Sequence, residues 1–473
     1  MPDPLFPAIT AGSPKVALRF GDQALTYAEL GGVAGALASE LPTGRVAVWA
    51  TPTLHTSVAV VAALLAGVPV VPLNPKIGER ELAHILADSS PALVLAEPGV
   101  TLPEGLAGVE RRDIPLTGNG PVPGEEPDAE APAFVVYTSG TTGPPKGVVL
   151  PRRAIASTLD ALEDAWEWTA DDVLVHGLPL FHVHGLILGI LGPLRRGGSV
   201  RHLGRFSTAG VARELADGAT MLFGVPTMYH RIAETVASDR ELAEALRGAR
   251  LLVSGSAALP VHDHQRITAA TGQKVVERYG MTETLMNTSV RADGERKPGT
   301  VGVPLAGVEL RLVDEAGAPI TELETVGEIQ VRGSNLFTEY LNRPDATAAA
   351  LADGWFRTGD MATLDADGYV KIVGRKATDL IKSGGYKIGA GEIENALLEH
   401  PGVAEAAVTG EPDDDLGERI VAWVVPSGER PSASELADHV AKLLAPHKRP
   451  RVVRYLDALP RNDMGKILKR ALG

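Results

Sequence analysis

Along residues 44–280, short β-type apolar runs alternate with segments of helical periodicity, and no other property of the chain constrains its fold as strongly. Strand-like runs occur at 46–49, 68–73, 92–96, 173–178, 200–203, 220–224, 250–254 and 274–279. Helical stretches at 56–66, 79–86, 154–168, 185–194, 208–216, 228–236 and 261–270 separate them. This alternation predicts an α/β protein of wound layers with largely parallel sheets. Ligands in such folds sit beyond the carboxyl ends of strands. Four loops follow predicted strands and are expected to converge there: the glycine-rich 137–147, then 179–184, 254–257 and 280–284. Segment 101–132, rich in Pro, Gly and acidic residues, reads as a surface excursion.

Beyond residue 300 the pattern changes. Runs at 308–313, 327–331 and 369–373 between Asp/Gly turns predict a β-rich subdomain over about 300–374. After Arg375 a small α+β unit is expected: a helix at 391–399, strands at 404–409 and 419–425, a helix at 433–444 and a strand at 452–455. The domains are therefore 1–374 and 375–473.

Composition narrows the function classes. The 473 residues carry 45 Lys and Arg against 59 Asp and Glu, a net charge of −14. A chain without a basic field is not expected to bind nucleic acid, and any anion it holds needs cations placed one by one. With no cysteine, a disulfide framework, a thiolate metal site and covalent cysteine catalysis are excluded. Met1-Pro2-Asp3-Pro4 lacks the basic start and apolar core of a signal peptide. The longest apolar stretch, 58–73, is broken by Gly67, Pro69 and Pro72 and is too short for a membrane span. A soluble, cytoplasmic protein without a membrane partner is expected.

The glycine-rich loop reads Tyr137-Thr138-Ser139-Gly140-Thr141-Thr142-Gly143-Pro144-Pro145-Lys146-Gly147, between apolar runs at 133–136 and 148–150. Glycines admit an anion close to the backbone, hydroxyls and amides donate to its oxygens, and a lysine adds a point charge. Polyphosphate suits that set. It is not a Walker loop, because prolines precede Lys146 and Gly147 follows it, and the Gly-x-Gly-x-x-Gly dinucleotide spacing is absent.

Other stretches carry chemistry. In Glu277-Arg278-Tyr279-Gly280-Met281-Thr282-Glu283-Thr284, Tyr279 could stack on a purine and Glu283 could bind Mg²⁺, although Thr282 could equally cap a helix. In Trp355-Phe356-Arg357-Thr358-Gly359-Asp360 a carboxylate ends what reads as a tight turn, suited to a ribose diol. Gly374-Arg375 and Asp379-Leu380-Ile381-Lys382-Ser383-Gly384-Gly385-Tyr386 follow at the domain boundary. Gly465-Lys466 stands near the C-terminus.

In order and spacing these stretches resemble the adenylate-forming superfamily of acyl-CoA synthetases, peptide-synthetase adenylation domains and luciferases, over nearly the whole chain. The resemblance implies a two-step reaction. A carboxylate attacks the α-phosphorus of ATP to give an acyl-adenylate and pyrophosphate, and the thiol of coenzyme A then displaces AMP. Carried over residue by residue, it gives Thr138, Ser139, Thr141, Thr142 and Lys146, with Gly140 and Gly143, to the β- and γ-phosphates. Ser254, Gly255, Ser256, Tyr279, Gly280 and Met281 would line the nucleotide, and Thr282 would contact the α-phosphate. Glu283, with Thr138, would hold Mg²⁺, while Asp360 and Arg375 would hold the ribose. Lys466 would bridge the attacking carboxylate and the α-phosphate, offsetting a repulsion that peaks in the transition state; some relatives are acetylated at this lysine, which makes a lysine acetyltransferase a conceivable partner. The small C-terminal domain is implied to be a mobile lid that rotates between steps, with Lys382, Ser383, Gly384 and Gly385 then facing coenzyme A. The spacing from Arg375 to Asp379 is one residue longer than the commoner pattern, which leaves the hinge open to a residue or two.

For the acid, Leu178-Pro179-Leu180-Phe181-His182-Val183-His184-Gly185 matches the family's acyl-pocket segment. The histidines read better as neutral core groups than as metal ligands, since nothing is spaced to complete a site. Arg278 is the sharper clue: an arginine beside the acyl site demands a partner, and a second substrate carboxylate would supply it. With His182, His184 and Arg278, and a hydrogen bond from Ser254 or Ser256, the chain is similar to the malonyl-CoA synthetases. Malonate or methylmalonate is the expected small dicarboxylic acid. A short- or medium-chain or aryl acyl-CoA synthetase, a stand-alone amino-acid adenylation enzyme, and a non-catalytic nucleotide-binding regulator are the alternatives.

Overall fold

The computed structural model describes residues 4–138, 144–376, 379–461 and 467–472, with Lys387 described by its backbone alone. Among these, the strands fall into four sheets. In the largest, Val276–Tyr279, Leu251–Ser254, Met221–Gly224, Val173–His176, Ser199–His202 and Val16–Phe20 lie side by side and parallel. Antiparallel edges close it: Thr288–Ser289 and Val303–Pro304 on one side, Gln23–Thr26 on the other. The second sheet is built on parallel Val46–Trp49, Val70–Leu73, Leu93–Ala96 and Pro132–Thr138, after which Lys146–Pro151 turns back antiparallel.

The layering follows from period-two alternation in strands buried on both faces. Leu174, Met221 and Leu251 point into one apolar cluster, their neighbours Val175, Leu222 and Leu252 into another. The first cluster also takes Val46, Val48 and Phe134 from the second sheet, so helices Tyr27–Ala38, Leu54–Leu65 and Arg152–Trp166 are packed between the two sheets. Leu54–Leu65 is buried almost all round, which explains an apolar run with no polar stripe. Helices Thr208–Ala216, Pro226–Thr235, Arg240–Gly248 and Val261–Thr271 cover the outer face of the first sheet.

Three elements differ from expectation. The strand Val16–Phe20 and helix Tyr27–Ala38 lie ahead of the alternation, the helix disguised by Gly31, Gly32 and Gly35. Segment 101–132 is the mostly exposed surface excursion expected, but a Cβ at Gly35 would run into the backbone of Pro121, so the excursion is pinned against this helix. Its Arg111–Asp113 also adds an edge strand to the second sheet. The stretch around Asp360 is a correction: it is no tight turn but the middle of strand Trp355–Leu364. Gly359, at φ +72°, and register shifts on both flanks bend that strand and re-aim the carboxylate.

Trp355–Leu364 joins Val308–Val313, Gly327–Gly333 and Val370–Arg375 in the β-rich sheet. From Leu380 onward the strands pair only within the fourth sheet, whose core lies under helices Ala390–Leu398 and Ala433–Leu443. None of the described helices is long and apolar enough to cross a membrane.

Candidate active site

The loops after Val173–His176, Leu251–Ser254 and Val276–Tyr279 meet at one end of the large sheet, as the strand-end argument anticipates. Ser254 ends its strand level with Glu277, and the loop that follows carries Ser256 at φ +73°. Ser256 Oγ lies 3.4 Å from His184 Nδ1. Arg278 lays its guanidinium flat on the Gly255 backbone, where any Cβ would collide with it. Gly255 is therefore fixed by the arginine above it. Gly280 is fixed in the same way, by the carbonyl of Leu285.

Arg278 is 5 % exposed, and among the described residues no carboxylate pairs with it. Its Nε and Nη2 are buried without a hydrogen-bond acceptor. Burial pushes its pKa down to about 9, which leaves it charged at neutral pH. Next to it, the His184 Nε2 and the Ser254 Oγ also lack partners. Burial first, then the Arg278 charge, holds the His184 pKa well below the ordinary imidazole value, so this ring is neutral. His182 is half-buried against the Phe181 ring, 4.4 Å between centroids. His184 opens a π-helix, His184–Leu191, whose Gly189 leaves room for the buried His176 ring beneath.

The neighbouring residue faces a different environment. Tyr279 donates its hydroxyl to Asp360 Oδ2 at 2.6 Å, and Arg375 Nε meets Asp360 Oδ1 at 2.9 Å. Arg375 also donates to the Thr358 carbonyl, 3.0 Å, and its backbone N–H to Asp379, 3.0 Å. Burial, reinforced by Asp360, raises the Tyr279 pKa far above the usual phenol value. The predicted ribose pair and the predicted adenine neighbour thus form one hydrogen-bonded group, drawn from the large sheet and the β-rich sheet.

Thr138 and Lys146 face each other across an antiparallel hairpin, consistent with a loop that returns as a strand rather than opening a helix. Lys146 Nζ lies 4.1 Å from the centre of the Tyr340 ring, and the Tyr340 hydroxyl donates to Glu283 Oε1 at 2.9 Å. Glu283 is buried within the turn Met281–Thr284, whose Thr284 N–H bonds the Met281 carbonyl; no helix is capped by Thr282. Asn335 clasps this turn by donating to the Thr284 and Met286 carbonyls. Tyr340 and Asn335 escape sequence reasoning because each acts some fifty residues from its partner and belongs to no local motif. A buried carboxylate oxygen is a hard donor of the kind Mg²⁺ prefers.

Ser139, Gly140, Thr141, Thr142, Gly143 and Lys466 lie outside the described residues. Lys382, Ser383, Gly384 and Gly385 are not part of this cluster. They form the end of hairpin Leu380–Ser383 with Tyr386–Gly389, with Gly384 at φ +59° and Gly385 at φ +80°. Two successive positive φ values are what a two-residue hairpin turn of this hand requires. Lys382 is exposed, 4.0 Å from Glu315.

The AMP-binding enzyme family matches residues 8–341, and the C-terminal domain of AMP-binding enzymes matches residues 392–466. A malonate–CoA ligase of Arabidopsis thaliana is 36% identical, covering 96% of this chain and 80% of its own. Among solved structures, a malonyl-CoA ligase in a ternary product complex with methylmalonyl-CoA and AMP is 73% identical. It covers 96% of this chain and all of its own, with a TM-score of 0.77. ATP-bound MatB from Rhodopseudomonas palustris is 35% identical, covers 100% of this chain and 96% of its own, and has a TM-score of 0.89.

Proposed function

The chain belongs to the AMP-binding enzymes, the adenylate-forming superfamily of acyl-CoA synthetases, and on that premise we propose that it joins malonate or methylmalonate to coenzyme A. One substrate carboxylate oxygen attacks the α-phosphorus of ATP and expels pyrophosphate. The thiol sulfur of coenzyme A then attacks the acyl carbonyl and expels AMP. Arg278 carries the choice of acid: a buried guanidinium with two orphaned donors is satisfied by a second carboxylate, which a monocarboxylic acid lacks. Neutral His184 and the Ser254 hydroxyl add uncharged hydrogen-bonding groups beside it.

Tyr279, held by Asp360, presents its ring to adenine. The Asp360 carboxylate, positioned by Tyr279 and Arg375, takes the ribose hydroxyls. Lys146 and Thr138 hold the β- and γ-phosphates, and Thr282 the α-phosphate. Glu283, with Thr138, would hold Mg²⁺, which neutralises charge on the departing pyrophosphate. Lys466 bridges the two reacting anions in the first step only.

The proposed boundary at 374–375 is supported by the strand pairing, since the β-rich sheet ends with Arg375 and the C-terminal sheet begins at Leu380. The backbone follows the ATP-bound relative more closely than the far more similar product complex, TM-scores 0.89 against 0.77. That supports an arrangement suited to the first step, with the Gly384–Gly385 turn awaiting the second.

Coenzyme A-dependent AMP release with malonate, methylmalonate, acetate, butyrate, benzoate and octanoate tests the substrate. The two dicarboxylates are expected to dominate. Equal or better turnover of any monocarboxylate removes Arg278 from its role.

A further inference from the structure

On the outer face of the large sheet, away from the nucleotide cluster, His230, His262 and Asp263 gather on two neighbouring helices, Pro226–Thr235 and Val261–Thr271. Asp263 Oδ2 lies 3.1 Å from His230 Nδ1, and Asp263 Oδ1 lies 3.1 Å from His262 Nε2. We propose that these three side chains are a binding site for a zinc-class divalent ion that staples the two helices together.

Four observations carry the proposal. The donor set, two imidazole nitrogens and a carboxylate, favours Zn²⁺, Co²⁺, Ni²⁺ or Cu²⁺ over the Mg²⁺ of the nucleotide site. A tetrahedral ion with bonds of about 2.0 Å needs ligand atoms roughly 3.3 Å apart, and the single oxygen Asp263 Oδ1 lies 3.3 Å from His230 Nδ1 and 3.1 Å from His262 Nε2. The three ligand atoms all lie within 4.8 Å of one another, near enough for small side-chain rotations to complete the geometry. Finally, the second nitrogen of His230 faces Glu234, Nε2 to Oε1 3.5 Å, the outer carboxylate that commonly fixes a ligating ring and raises its basicity.

Access and charge fit as well. The Asp263 side chain is fully buried while His230 is 36% exposed, so the carboxylate is preset and the fourth position opens to water. Arg266, whose charge reaches His230, opposes the ion, while Asp263 and Glu234 favour it. An ion here would lock the helices that directly follow Met221–Gly224 and Leu251–Ser254, the strands behind the acyl side of the site.

The test uses the tag-free, chelator-treated full-length enzyme titrated with CoCl₂ and followed by visible absorption. One Co²⁺ per chain with the intense bands of four-coordinate cobalt is expected, undiminished by millimolar MgCl₂. His230→Gln and His262→Gln should each weaken binding at least tenfold, and ZnCl₂ should raise the Tm of the wild type but of neither variant. Glu234→Gln keeps all three ligands, so it should weaken binding only a few-fold and checks the site should a histidine variant misfold. Absence of the four-coordinate bands, displacement by Mg²⁺, or unchanged binding in both histidine variants overturns the proposal.

Discussion

Arg278 and Tyr279 are adjacent on one strand, yet they enter regions built on opposite terms. Around Tyr279 the polar groups are already satisfied: Asp360, Arg375, Thr358 and Asp379 bond one another before any nucleotide arrives. Around Arg278 they are not, and three residues bury donors or acceptors without partners. The nucleotide side is preorganised, which limits what binding must order. The acyl side stores an unmet demand for an anion. On the proposed function, that demand destabilises the empty enzyme and selects the ligand that ends it.

The sharpest way to break this contrast is Arg278→Met. It should lower kcat/KM for malonate by about 10²- to 10³-fold, the cost of leaving a buried charged group unpaired. The same variant should melt at or above the wild-type temperature, because it removes a charge that nothing in the free protein offsets. A lower Tm would show that Arg278 is satisfied after all. If Lys466 bridges the two reacting anions as proposed, Lys466→Ala should slow acyl-adenylate formation by about 10²-fold; single-turnover pyrophosphate release reads this directly, and a near-wild-type rate would sink the assignment. On the preorganised side, Asp360→Asn should raise KM for ATP about tenfold, with little change in selectivity among acids. A shift in acid preference would mean that the two sides are not separable.

The smallest effect concerns pH. His176, His184 and His202 have folded-state pKa values pulled down by burial, that of His202 to about 4. Below pH 6.5 the unfolded chain protonates these rings while the folded one does not, so stability falls as pH drops. The slope approaches about 1.4 kcal/mol per pH unit for each ring. His230, raised by its hydrogen bond to Asp263, works in the opposite direction. Urea unfolding of the free enzyme between pH 7 and 5 should therefore show a net loss on acidification. A flat profile would place the three rings in a more polar setting than the structure gives them.

Much of this could be read from the sequence because the signals are local. Apolar runs set the parallel strands of both sheets, and the residues that end them carry the loops that meet at the site. What stayed hidden depends on partners distant in the chain. Val16–Phe20 becomes a strand by pairing with Ser199–His202, and Tyr340 reaches Glu283 from an edge strand of another sheet. Asp360 looked like a turn residue because Gly359 next to it has turn conformation, although the chain there is a strand. The Gly384–Gly385 pair is expected to face coenzyme A, whereas the hairpin demands glycine by its dihedral angles alone. Both requirements fall on the same two residues.

On the proposed roles of Arg278 and Tyr279, the separation of acid choice from nucleotide binding comes down to the pleat of Val276–Tyr279. Its register against Leu251–Ser254 sets Val253 beside Val276 and Ser254 beside Glu277, and on the other edge Arg278 lies beside Ser289. A single-residue insertion or deletion in this strand would exchange the two faces, turning an arginine toward adenine and a tyrosine toward the acid. A length change here would therefore disturb both sides of the site at once. Point substitutions at 278 are the open route by which such an enzyme could drift to another acid and still recognise ATP.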